Sequence, residues 1–240
     1  MFVKSIKLVK KAIFPIFRFE TLGNNQFKVG VVGAGFFINS NGIFVTVAHV
    51  FDDTNKNVSF KYWGILPDKI HNPNLNIVEI VRDNNLDIFI GKIDIKTRNY
   101  LHFQKKIPDI GKSVCIAGYP LAAITDNQQG GLELGGVRRY FQPTFVLDRA
   151  VLNTKNLQGL IRTHDGFLVR DFGLFGMSGG PIFDINGVVV GLQGSVTSPR
   201  ESVSGDGRKI SVENGMAIRT ELILNVLKKN KIRYSINLTS

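Results

Sequence analysis

Phe175-Gly176-Met177-Ser178-Gly179-Gly180-Pro181 is the stretch on which the reading of this 240-residue chain turns. Small residues close to a serine in a glycine-rich turn leave its hydroxyl exposed and the neighbouring backbone N–H groups free. Acyl transfer needs that arrangement, a nucleophile with donors beside it for an oxyanion. A glycine-rich turn carrying an idle serine reads the same way. The rest of the chain has to supply partners.

A serine nucleophile needs a base and a group that orients the base. All four histidines, His49, His71, His102 and His164, precede Ser178. A nucleophile elbow of the α/β-hydrolase kind places its histidine after the serine, so that reading fails. An Asp-His-Ser order fails as well, because the first aspartate, Asp52, follows His49. His…Asp…Ser is the order left. His49 lies in Val47-Ala48-His49-Val50, at the end of an apolar strand where a cleft wall would lock the imidazole. A lone histidine among apolar neighbours is more often structural, but order and context favour His49 as the base. His71 sits in a polar Pro/Asn loop, His102 follows the polar Arg98-Asn99-Tyr100, and His164 precedes Asp165-Gly166. These three read as surface or turn residues.

For the acid, Asp87 stands in Asn85-Leu86-Asp87-Ile88-Phe89-Ile90, a carboxylate at the head of an apolar strand. Buried there, it would be costly without a partner, and His49 Nδ1–H would supply one. A turn terminator after Asn84-Asn85 is the alternative. Asp52, Asp53 and Asp83 lie in polar turns and are weaker candidates.

Alternation and turn signals predict about a dozen short strands, evenly spaced, which points to antiparallel barrels or a sandwich. Among them are Ala12–Phe19, Lys28–Ile38, Ile43–Val47, Asn57–Trp63, Ile77–Arg82, Ile88–Ile93, Gly111–Gly118, Thr144–Leu152, Leu157–Thr163, Phe167–Arg170, Val188–Gln193 and Ile210–Ile218. Residues 121–136 and 194–209 read as polar loops, the second as mobile. Only Glu221–Lys229 is convincing as a helix, with Thr220 as its N-cap and Leu222/Val226 and Ile223/Leu227 paired at i,i+4.

Three motifs in this order resemble the chymotrypsin-fold, trypsin-like serine proteases, above all the disulfide-free bacterial group that includes the Deg (HtrA) proteases. They are Gly33-Ala34-Gly35-Phe36-Phe37-Ile38 with Thr46-Val47-Ala48-His49-Val50, then Leu86-Asp87-Ile88-Phe89-Ile90, then Gly176-Met177-Ser178-Gly179-Gly180-Pro181. The resemblance covers about residues 12–229. It implies an all-β fold of two six-stranded antiparallel barrels, about residues 12–108 and 109–219, with a C-terminal helix at 220–230. The whole of 1–240 would be one peptidase domain. It implies a serine endopeptidase in which Ser178 attacks, His49 moves the proton and Asp87 orients His49, the N–H groups of Gly176 and Ser178 forming the oxyanion hole. It places Phe172 at the floor of the primary pocket, predicting cleavage after apolar residues, with Asp171 one position away. Leu192-Gln193-Gly194 would pair with substrate backbone as an added strand, and the 194–209 loop beside it could gate access.

Two departures from that family stand out. Val50 occupies a position where digestive relatives carry cysteine. Met177 stands where they carry the aspartate that pairs with a newly cut N-terminus, so activation by that ion pair is not expected. Met177 also leaves open a second reading, a latent peptide-binding module whose oxyanion turn is ordered by a partner. No PDZ-like module is expected after Ser178, because the second barrel and helix take up the remaining residues.

Bulk properties narrow the rest. A chain of this length can bury roughly 70–75% of its unfolded surface without staples. The single cysteine, Cys115, excludes an internal disulfide, and its setting in a buried strand argues for a structural thiol over a Cys–His enzyme. Net charge is +11, but four of the positive charges lie in residues 1–11 and four in 222–240, neither segment holding an acid. Solvated termini explain this better than a nucleic-acid groove, which would run through the body; weak docking to an acidic partner remains open. The apolar Ala12–Phe17 is shorter than the core of about 7–15 residues of a signal peptide, and no stretch approaches a membrane span. The expected location is the cytoplasm. Gly130-Gly131 and Gly135-Gly136 lack the lysine and helix of a phosphate loop. No cofactor or metal is expected, and the partner is a protein or peptide substrate.

Overall fold

The computed structural model describes all residues except 24–25, 53–59, 67–74, 127–131, 136, 156–158, 197–199, 204–208 and 238–240. His71, Gly130, Gly131 and Gly136 therefore lie outside the described residues. Two curled β-sheets and few helices make up the fold. Among the described residues no helix is long and apolar enough to cross a membrane.

The first sheet is built on a long hairpin, β1 (Ile13–Gly23) and β2 (Gln26–Phe37). It adds β3 (Ile43–Thr46), β4 (Phe60–Gly64), β5 (Leu75–Asn76), β6 (Val78–Asp83) and β7 (Ile88–Lys92). The order is β5-β4-β1-β2-β3-β7-β6, seven strands where six were expected. A break at Ile77 accounts for the difference. Residues before it pair with β4 at one edge, and those after it pair with β7 at the other. Counted as one bent segment, the sheet has six strands and curls back on itself through that bend. Phe14 sits inside it against Phe37 and Phe44, ring centroids 4.8 and 5.1 Å apart.

The second half contributes β8 (Ser113–Gly118), β9 (Ala123–Asp126), β10 (Leu132–Gly135), β11 (Tyr140–Lys155), β12 (Ile161–Val169), β13 (Pro181–Phe183), β14 (Val189–Val196), β15 (Arg200–Val203), β16 (Lys209–Val212) and β17 (Gly215–Arg219). Six of these close into a barrel, β11-β12-β17-β14-β13-β8. The segment 121–136, read as a loop, carries a two-stranded ribbon, β9–β10, and the segment 194–209 carries β15, which pairs with β16 at the start of the stretch expected as the last strand. Two predicted strands at Leu157–Thr163 and Phe167–Arg170 are one, β12, running straight through His164-Asp165-Gly166.

Helix α1 (Val3–Val9) was not expected, since it has no side-chain cap and no acid in its first turn. Tertiary packing overrides weak propensity here. Phe2, Ser5 and Val9 are buried, and the Phe2 ring meets Phe183 edge-on at 6.0 Å, while the lysines face outward. The C-terminal helix α2 (Thr220–Lys229) buries Ile223, Leu224, Val226 and Leu227. Thr220 is not its N-cap. It is the first helical residue, and its hydroxyl donates to the Gln104 carbonyl at 2.6 Å.

Candidate active site

The strand β3 ends at Thr46, and a single 3-10 turn, Ala48–Phe51, carries His49 away from the sheet. That turn is fastened to Asp87 three times. The Ala48 N–H donates to the Asp87 carbonyl at 3.2 Å, and the His49 N–H donates to Asp87 Oδ1 at 2.9 Å. His49 Nδ1 lies 2.7 Å from Asp87 Oδ2. With both carboxylate oxygens engaged by one residue, the imidazole has a single orientation. Asp87 has a left-handed backbone, φ 57°, just before β7. Aspartate tolerates that conformation better than most residues, and strain of this kind persists where the surroundings over-determine it.

Asp87 is fully buried, whereas the His49 side chain is 30% exposed. Burial pushes the Asp87 carboxyl up, but His49, His164 and Arg162 together outweigh it and hold the group below its ordinary value. The last two were not foreseen as site residues. Arg162 Nε stands 3.4 Å from Asp87 Oδ1, and its NH2 group lies 2.8 Å from both oxygens of Asp52. His164, read as a turn residue, is a buried strand residue with Nε2 3.9 Å from Asp87 Oδ2. Both project from β12, and the Thr163 N–H between them donates to the Asn85 carbonyl at 2.8 Å. The second barrel thus reaches across to brace the acid of the first. His102 is exposed, as its polar surroundings imply.

Burial lowers the pKa of His164, which Asp87 opposes and His49 and Arg162 reinforce, so His164 is held neutral. The sign of the consequence follows. Below the ordinary histidine value of 6.5 the unfolded chain takes up a proton at position 164 that the folded chain resists. Asp87, whose folded value is depressed, contributes stability that is lost at still lower pH. Stability should therefore fall as pH drops from 7 to 5. Urea midpoints across that range measure it, and His164→Gln should flatten the slope; an unchanged slope would remove His164 from the account.

Ser178 sits in a turn built by its neighbours. The Met177 N–H donates to the Leu174 carbonyl at 2.9 Å, and Gly176, the third residue of that turn, has φ +89°. Positive φ at this position defines a type II turn and calls for glycine. The Gly176 carbonyl is turned away to accept from the Tyr119 N–H at 3.2 Å. Among the described residues neither the Gly176 nor the Ser178 N–H is committed to a backbone acceptor. Met177 is fully buried with Val114, Ile116 and Ile182 in the core of the closed barrel. Apolar packing thus occupies the place of an activating ion pair. On the other side, the Ser178 carbonyl accepts from the Ala34 N–H of β2 at 2.8 Å.

His49, Asp87 and Ser178 line one cleft of about 460 Å³, with Arg162, His164 and Lys155 behind them. His49 and Ser178 share no hydrogen bond here; such contacts are often long before substrate arrives. The cleft continues over Gly173, Leu174, Phe175 and Gln193–Val196. Gln193 and Gly194 line it, and Leu192 is fully buried. Phe172 does not line the cleft. The residue is 38% exposed, and its carbonyl accepts from Gln142 Nε2 at 3.3 Å. Gly173 and Gln193 do line the cleft. Cys115 is buried in β8, and burial pushes its thiol up to about 12, which keeps it protonated and unreactive. Among the described residues, no group of three His, Cys, Asp or Glu side chains could hold a metal ion.

The family model of the trypsin-like peptidase domain matches residues 33–192. The chain belongs to the trypsin-like peptidase family. A probable periplasmic serine endoprotease of the DegP-like kind from Bartonella henselae is 26% identical over 205 residues. That match takes in 84% of this chain and 34% of the relative, so the chain spans about a third of that protein's length. Among solved structures, the active form of the Rv3671c protease from M. tuberculosis superposes with a TM-score of 0.67 at 21% identity. It covers 97% of this chain and 86% of its own. The HtrA-type protease AlgW, solved with a decapeptide, gives a TM-score of 0.67 at 16% identity, covering 96% of this chain and 67% of its own. At these identities the structural likeness speaks to the fold, which is that of the chymotrypsin-like proteases.

Proposed function

We propose that this chain is a serine endopeptidase acting through His49, Asp87 and Ser178 on protein or peptide substrates. One observation carries the reading: His49 is pinned through its backbone and its ring to the buried Asp87, with Ser178 in the same cleft. Asp87 accepts a hydrogen bond from Nδ1–H, which keeps the proton there and leaves Nε2 as the basic nitrogen facing the cleft. Ser178 Oγ attacks the scissile carbonyl carbon while its proton passes to Nε2. The developing oxyanion is received by the free N–H groups of Gly176 and Ser178. The carbon–nitrogen bond then breaks as Nε2 gives the proton to the leaving amine. Water repeats the sequence to release the acyl group, returning Ser178 and His49 to their starting states. The packed Met177 and the left-handed Gly176 favour a turn already set for this work over a latent one.

A fluorophosphonate probe tests the reading directly. The expected result is one covalent adduct mapping to Ser178, lost in Ser178→Ala and slowed in His49→Ala. An intact protein that takes no label, or takes it elsewhere, would overturn it.

A further inference from the structure

The wall of the cleft next to Ser178 holds two polar atoms that the fold leaves unanswered. Gln193 is 2% exposed, and its backbone is fixed to the two glycines that follow Ser178. Its N–H donates to the Gly180 carbonyl at 2.9 Å, and its carbonyl accepts from the Gly179 N–H at 2.8 Å. The side chain is thereby held beside the serine. Its Nε2 donates to the Ser195 carbonyl at 3.4 Å, but its Oε1 is buried with no hydrogen-bond partner among the described residues. The Ser195 Oγ is likewise buried and unpartnered. Both residues line the cleft. Buried polar groups in folded proteins are overwhelmingly paired, so two unpaired atoms on residues that line a substrate cleft point to a partner that arrives with the substrate.

The reach of this wall is short. The Gln193 amide lies across the cleft against Gly173, where an added Cβ would come within 2.9 Å of Gln193 Cδ. No side chain fits at position 173 with the amide in place, and the amide closes the floor. Charge narrows the choice further. Among the described residues the only carboxylate lining the cleft is Asp87, which is engaged by His49, and the cations Lys155 and Arg162 line it too. A lysine or arginine side chain entering here has no free counter-charge.

We infer that the Gln193 amide and the Ser195 hydroxyl form a short polar floor for the residue on the acyl side of the scissile bond. They select threonine or serine there over valine, alanine or larger apolar residues. A threonine hydroxyl donates to Gln193 Oε1 and pairs with Ser195 Oγ. Valine has the same shape and leaves both groups unpaired. A site built to hydrogen-bond a hydroxyl discriminates against the analogue lacking it far better than an apolar pocket discriminates by size. The inference rests on the endopeptidase reading above, and it replaces an apolar floor at Phe172 with a polar one at Gln193.

Matched peptides differing only at that residue, Thr, Val, Leu or Lys, test it through kcat/KM of the wild-type protein. Thr is expected to exceed Val by about tenfold or more, with Leu and Lys below Thr. Equal or better cleavage after Val or Leu would overturn the inference. Gln193→Met keeps the length and removes the acceptor, and it should bring the Thr/Val ratio towards one. Because the ratio is taken within one preparation, losses of folded protein cancel. A ratio unchanged in Gln193→Met would take Gln193 out of the selection. Fluorophosphonate labelling of the wild type separates the levels. Label at Ser178 with Val preferred sinks this inference alone, whereas no label sinks the endopeptidase reading beneath it.

Discussion

Ser178→Ala is expected to lower kcat for a peptide substrate by about 10⁶-fold. Oγ is the only atom removed, and in the proposed mechanism it is the atom that forms the acyl bond. The turn that carries it does not depend on it. Its conformation is fixed by Gly176, by Met177 in the barrel core and by backbone hydrogen bonds from Ala34 and Tyr119. The variant should therefore unfold at the same temperature as the wild type and bind substrate with little change. A residue of catalysis, about 10³–10⁴-fold over water, should persist from the oxyanion donors and binding. The measurement is single-turnover hydrolysis alongside a thermal melt. Turnover within tenfold of wild type, in a protein that melts normally, would place the nucleophile elsewhere.

Asp87→Asn should cost about 10⁴-fold in kcat, the scale of the same carboxylate-to-amide change in a related protease. Here the geometry says why. Asp87 Oδ1 accepts the His49 backbone N–H and Oδ2 accepts from Nδ1. An asparagine keeps the first contact by placing its carbonyl oxygen there, which turns its NH2 group towards Nδ1. Nδ1 must then accept, the ring proton moves to Nε2, and the nitrogen facing the cleft can no longer take a proton from serine. The substitution also removes the charge beside Arg162, which keeps Asp52. The activity loss should shrink at high pH if serine ionisation replaces the missing base. A loss below about tenfold across all pH values would show that His49 holds its tautomer without Asp87.

Catalytic candidates were legible because nucleophilic chemistry constrains residue order and because a carboxylate before Ile88-Phe89-Ile90 has few inexpensive reasons to be there. The bracing residues were not legible, for a physical reason. His164-Asp165-Gly166 carries the composition of a turn, yet it lies inside β12. Gly166 is there because its backbone meets that of β17, with the Ala217 carbonyl occupying the space of a Cβ. Glycine chosen for close approach and glycine chosen for a bend look the same in one sequence. Reading the bend hid both His164 and Arg162, whose burial depends on the strand being continuous. Phe172 shows the converse. Counting residues back from Ser178 points to this loop, but which side chains line the cleft depends on Gly173 making room for Gln193. Helix α1 escaped because its signal is the Phe2, Ser5 and Val9 face it buries, which has meaning only once Phe183 is in place.

The hydrogen bond from Ala34 to the Ser178 carbonyl bears on modularity. The serine belongs by sequence to the second half of the chain, but its address is written in the first. The Thr163 contact with Asn85 runs the opposite way, so each half holds a coordinate the other needs. Neither half is then a transplantable part. A chimaera that takes residues 109–240 from this chain inherits the nucleophile without the strand that registers it, unless positions 33–34 and 85–87 travel with it.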